Sequence, residues 1–119
     1  MEDFQIKFYR TENGDCPVED FLDQLDDKMQ TKVLRMISLL KNYGNDLREP
    51  YSKHMKDGIF ELRISQGSDI SRILYFYTSR KTIVLTNGFI KKTPKTPEKE
   101  IKKAERCRKD YAERKTTHG

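Results

Sequence analysis

The chain has 119 residues, 36% of them charged and 34% hydrophobic, which allows one domain with a single core and excludes a second. Its formal net charge of +5 is unevenly spread: residues 1–50 carry 7 Lys/Arg and 11 Asp/Glu, net −4, and residues 51–119 carry 17 and 8, net +9. A basic half on a small domain points to an anionic partner, nucleic acid first.

Other classes are disfavoured by particular residues. Cys16 and Cys107 have neither CxxC spacing nor a histidine partner pattern, so a disulfide framework and a zinc site are not expected, and a reducing cytoplasm fits. The start, Met1-Glu2-Asp3-Phe4, lacks the apolar stretch of a secretory signal. The longest apolar run, Ile73–Tyr77, is far too short to span a membrane.

Taken in chain order, Phe4–Tyr9 alternates apolar and polar positions and predicts a half-buried strand. Thr11–Cys16 is a turn around Asn13-Gly14. Pro17 suits a first helical turn, and Val18, Phe21, Leu22 and Leu25 follow at helical spacing. Asp26 and Asp27 end that helix and cap the next, whose stripe is Met29, Val33, Met36, Ile37 and Leu40, with Gly44 as the stop. Two short helices with a tight joint make an αα-hairpin. Asn45–Tyr51 contains Pro50 and reads as irregular.

Three strand-like runs come next: Ile59–Ser65, Ser71–Thr78 and Thr82–Ile90. Their short polar gaps, Gln66–Ile70 and Ser79–Lys81, predict an antiparallel meander, because parallel neighbours need a long crossover. Both faces of the middle run are apolar, which makes it central. Thr93–Thr96 is a loop, with Thr96 as an N-cap candidate and Pro97 at the first helical position. Ile101, Ala104, Cys107 or Arg108, and Tyr111 form the inner face of a last helix. The expected architecture is α+β: one domain over 1–111, a sheet covered on one side by helices with its other face open to a ligand, and a disordered tail over 112–119.

There is no phosphate-cradling glycine loop, no HExxH, no Ser-His-Asp grouping and no paired acidic cluster, so neither a metal nor a cofactor is expected. What remains is a set of cations. RNA can be cut by its own 2′-OH when an enzyme positions the nucleotide, stabilises charge on the phosphate oxygens and moves two protons. Arginine suits the phosphate because its planar fork donates to two oxygens at once. Lysine or histidine in a dense positive field has a lowered pKa and can carry a proton near neutral pH. The candidates are Arg63, Arg72, Lys91, Lys92 and His54 for catalysis, and Lys53, Lys56 and Tyr111 for RNA binding. Glu61 shares a strand face with Arg63 and is either its partner or a base. Arg72 is a charge at the start of a buried strand, costly unless paired or used. His118, in the tail, is expected to be idle.

The segments KHMKDGIFELRI, SRILYFY and IVLTNGFIKKTPKTPEKEIKKAERCRKDY resemble the RelE/ParE superfamily of bacterial toxins, in its phage-derived, HigB-like branch. The resemblance runs from Phe4 to about Tyr111. It implies an αα-hairpin and a C-terminal helix packed on a curved antiparallel sheet. It also implies a type II toxin that cleaves mRNA on the ribosome, a metal-independent mRNA interferase, neutralised by a cognate HigA-like antitoxin. Arg72 and Lys91 or Lys92 match the family's catalytic cations, Arg63 is a motif residue, and His54 matches a basic or His position of some relatives. The chain departs from the pattern at Glu61, where RelE-type toxins often have lysine, and it lacks the C-terminal His and Asp-Tyr-His of some HigB toxins. The alternative within the superfamily is a ParE-like inhibitor of DNA gyrase that cuts no RNA.

Overall fold

The structure, a computed structural model, describes residues 3–79 and 81–118, with side chains as far as Lys115. The elements run β1 (Gln5–Phe8), α1 (Pro17–Asp23), α2 (Asp27–Tyr43), a 3-10 turn (Gly44–Asp46), β2 (Ser52–Lys56), β3 (Ile59–Gln66), β4 (Asp69–Thr78), β5 (Thr82–Ile90) and α3 (Glu98–His118). This is a mixed α+β fold. The joint between α1 and α2 forms where the aspartates place it: the Asp26 carboxylate accepts the Met29 N–H at 2.8 Å and caps α2. The predicted stripes of both helices are buried, Val18, Phe21 and Leu22 on α1 and Met29, Val33, Met36, Ile37 and Leu40 on α2.

The five strands form one sheet in the order β1-β5-β4-β3-β2. The meander β3–β4–β5 is antiparallel as expected, but β1 lies parallel to β5, from Gln5 opposite Thr82 to Phe8 opposite Leu85. The sheet is therefore mixed rather than wholly antiparallel. Short gaps force antiparallel neighbours, and that constraint does not reach β1, which is joined to the sheet only through the αα-hairpin. A further strand, β2, occupies Ser52–Lys56, a segment with no predicted element. It is joined to β3 by a two-residue turn in which Asp57 and Gly58 have φ of 48° and 84°. Positive φ at both central positions marks the hairpin turn that Asp-Gly favours.

Helices cover both faces of the sheet, not one. On one face Leu62, Ile64, Ile73, Tyr75, Ile83 and Leu85 pack against the αα-hairpin. On the other, Ile59, Leu74, Phe76 and Val84 pack against Ala104 and Cys107 of α3. The face expected to be open is thus closed over most of its length by the last helix. That helix passes Tyr111, the expected domain boundary, and is helical through His118. The side chain of His118 lies outside the described residues. No helix among the described residues is long and apolar enough to cross a membrane.

Gly88 allows α1 to approach β5, because a Cβ there would run into the Phe21 ring. Gly88→Ala is expected to destabilise the fold by roughly 1–3 kcal/mol, the usual cost of overpacking a core. A thermal melt with an unchanged midpoint would contradict this close approach.

Candidate functional site

The polar residues of the sheet gather at one end of the α3 face, beside the first turn of that helix. Strand alternation places them. Ile59 faces α3, so Glu61 and Arg63 do too; Leu74 and Phe76 face α3, so Arg72 does as well. The register then sets Arg63 directly opposite Arg72, and Lys53 of β2 opposite Glu61. Directly opposite residues share a face, and two arginines in that position repel unless an anion lies between them.

Glu61 is that anion. Its side chain is fully buried, and its Oε1 accepts from Arg63 Nε and from Arg72 Nε, each at 3.1 Å. Its Oε2 accepts from the Thr96 hydroxyl. Arg72 is 7% exposed and donates from Nη1 to the Ser71 carbonyl at 3.0 Å. Arg63 is the more accessible fork, its side chain 25% exposed, with Nη1 3.7 Å from the exposed Glu49 carboxylate. An arginine has five N–H donors, so each fork keeps N–H groups beyond its bond to Glu61.

Lys91, where the chain leaves β5, completes the cluster. Its backbone N–H donates to the Ile70 carbonyl at 2.8 Å. Burial lowers the Lys91 pKa, and the charges of Arg72, Arg63 and Lys53 lower it further against the opposing pull of Glu61. Burial likewise lowers the Arg72 pKa. Four cations, Lys53, Arg63, Arg72 and Lys91, therefore meet one buried carboxylate, and no ion pair among the described residues ties down Lys53 or Lys91. The cluster holds a surplus of positive charge beside groups already desolvated. Such a place favours an anion, most of all one with several acceptor oxygens.

The other predicted residues lie elsewhere. Lys92 is exposed, next in the chain to the half-buried Lys91. Lys56 sits at the rim, 3.8 Å from Glu98 of α3. His54 is on the opposite sheet face, since it pairs with Phe60 and its ring meets the Phe60 edge at 5.1 Å. Its Nε2 accepts the Gly58 N–H at 3.0 Å, so it braces the β2–β3 turn. Tyr111 packs edge-on against Phe76 at 5.8 Å, four residues along β4 from Arg72. Among the described residues no three His, Cys, Asp or Glu side chains converge to hold a metal ion.

The profile of the phage derived protein Gp49-like family (DUF891) matches residues 20–109, from α1 through most of α3. The chain belongs to the Gp49-like family. This is a phage-derived family of candidate toxins of toxin–antitoxin systems. No curated protein matches the chain. The matched stretch contains every residue of the cation cluster and leaves β1 outside.

Three contributors to the site of this Gp49-like chain were not singled out from sequence. Thr96 reads as a helix cap, yet its hydroxyl donates to Glu61, and the Pro97 carbonyl accepts the Glu100 N–H at 3.0 Å. Asn87 donates to the Glu100 carboxylate at 3.0 Å and moors the first turn of α3 to β5. Thr86, the extra residue of a bulge in β5, donates to the Asn87 side chain at 2.7 Å and orients it. Bulges often re-aim a side chain beside a functional site, and the adjacent Thr-Asn-Gly of a strand pattern is the only local signal of this one.

Proposed function

We propose that this Gp49-like chain is the toxin of a type II toxin–antitoxin system and acts as an mRNA endonuclease on the ribosome. The observation that carries the reading is the Arg63/Arg72 pair clamped on one buried carboxylate, with Lys53 and Lys91 beside it. The resemblance to the HigB-like branch of the RelE/ParE superfamily supplies the ribosome, the mRNA and a HigA-like antitoxin as expected partners.

In this scheme the 2′-OH of one nucleotide attacks the neighbouring phosphorus in line. The new O2′–P bond gives a 2′,3′-cyclic phosphate, the P–O5′ bond breaks, and the leaving 5′-oxygen takes a proton from solvent water. Charge grows on the non-bridging oxygens, and Arg63 donates to them from a geometry already fixed by Glu61. Donors held in place before the reaction cost no reorganisation during it. Arg72, mostly buried, holds the carboxylate and adds to the field. Lys91, its pKa lowered, takes the 2′-OH proton. No metal ion has a part in these steps.

The sign of the Lys91 shift gives a test. A base must be neutral to act, so the cleavage rate is expected to rise with pH through an apparent pKa below the ordinary lysine value of 10.5. Lys91→Arg, which stays charged, removes that limb. A rate that falls over the same range contradicts the role of base.

The proposal as a whole is tested by induced expression in bacteria followed by mapping of mRNA ends. Codon-phased cuts that vanish with Arg72→Ala support it. Intact transcripts together with accumulated gyrase–DNA cleavage complexes would replace it with the ParE-like activity.

A further inference from the structure

A second cationic feature lies at the far end of α3. A groove of about 360 Å³ opens between β1 and the last turns of that helix. Lys7, Arg10, Arg114 and Lys115 line it, with the half-buried Tyr111 as its accessible aromatic side chain, while Tyr9 beneath them is 6% exposed. Two acids accompany the four cations, and both are engaged. Asp110 accepts the Tyr9 hydroxyl and pairs with Arg114 at 2.9 Å, which holds its carboxyl below the usual range, the Tyr9 bond being the main cause. Glu19 pairs with Arg10 at 2.8 Å. Arg114 also lies over the Tyr9 ring, 5.6 Å from its centre. Lys7 and Lys115 are exposed and joined to no acid among the described residues. The groove thus offers lysine charge next to the half-buried Tyr111 ring, a pairing that suits a strand of alternating phosphates and bases.

Its placement relative to the Arg63/Arg72 cluster gives it a task. The cluster meets the chain just before the first turn of α3, where Thr96 donates to Glu61, and the groove adjoins Arg114, 16 residues beyond the helix start at Glu98. At about 1.5 Å per helical residue they are roughly 24 Å apart, which is about seven nucleotides stacked at ~3.4 Å each. Lys102, Arg106 and Lys109, exposed and spaced i, i+4, i+7, form a cationic ridge between them.

We propose that this groove is a second RNA subsite, which grips the same strand several nucleotides away from the phosphodiester held by Arg63 and Arg72. This rests on the endonuclease reading for the identity of the strand. The subsite binds backbone phosphate through its lysines and takes one base against Tyr111, without reading sequence.

The test is fluorescence anisotropy with the full chain and 2′-O-methyl RNA, which cannot supply the attacking hydroxyl, as a 3-mer and a 12-mer. Wild type is expected to bind the 12-mer at least about tenfold more tightly, the effect of one more stacked base. Lys7→Glu with Lys115→Glu is expected to bring the 12-mer down to the 3-mer level and to leave the 3-mer unchanged. The salt slope for the 12-mer should flatten by about 0.7 for each phosphate that the variant no longer neutralises. Both lysines are exposed, so the melting temperature serves as the control for folding. Equal affinity for the two lengths overturns the proposal, as does an equal loss for both in the double variant. Stronger competition by poly-glutamate than by the 12-mer also overturns it, in favour of an acidic protein. If Arg63→Ala leaves 3-mer binding untouched while the length effect persists, the groove stands and the reading of the cation cluster fails.

Discussion

Arg63→Ala is expected to lower the rate of mRNA cleavage by about 10²–10³-fold, the usual loss when one preorganised donor is removed from a developing oxyanion. The fold should survive, because Glu61 keeps Arg72 and Thr96 as partners and the Arg63 side chain is already 25% exposed. Arg63→Lys is expected to recover only part of the rate. A lysine restores the charge but cannot donate to Glu61 and to phosphate from one rigid plane. Single-turnover cleavage on programmed ribosomes, set beside a thermal melt, separates the chemical loss from any loss of structure. A wild-type rate in Arg63→Ala would remove Arg63 from the chemistry.

The largest effect on stability is expected at Glu61. Its side chain is fully buried between two guanidinium groups that its charge reconciles. Glu61→Ala leaves Arg72 buried without a counter-charge and Arg63 and Arg72 facing each other across the β3–β4 ladder. Breaking a buried pair from one side costs about 3–5 kcal/mol, a large share of the ~5–15 kcal/mol by which domains are stable. Glu61→Gln keeps the volume and an acceptor oxygen and should cost less. Urea unfolding of the three proteins checks the order wild type, Gln, Ala. An Ala variant as stable as wild type would mean that the carboxylate does not hold the arginines together.

Much of this arrangement is legible in the residues, and the misses have physical causes. The apolar runs of β4 and β5 announce central strands. Strand β2 does not, because Ser-Lys-His-Met-Lys is an edge strand with four polar positions, and charged residues are how exposed edges are protected. Its one cue is the Asp57-Gly58 pair, a hairpin turn that becomes meaningful only with a strand on both sides. The opposition of Arg63 and Arg72 is within reach of simple counting. Gln66 pairs with Asp69 across a tight turn, and three residues back on each side stand the two arginines. Reading Gln66–Ile70 as a loop hides that count. The same counting puts His54 opposite Phe60 and therefore on the wrong face for the cluster. The bond from Thr96 to Glu61 spans 35 residues and depends on how α3 docks, which no local pattern encodes. The parallel pairing of β1 with β5 is non-local in the same way.

The most direct measurement of the central claim is the chemistry of the cut. Purified protein would be incubated, in EDTA matched to leave ribosomal magnesium intact, with mRNA on ribosomes and with the same mRNA free in solution. Cleavage of the ribosome-bound message alone is expected, with fragments ending in 2′,3′-cyclic phosphate that are lost in Arg63→Ala and Arg72→Ala. Fragments ending in 3′-hydroxyl, or an undiminished cut in both arginine variants, would contradict the claim.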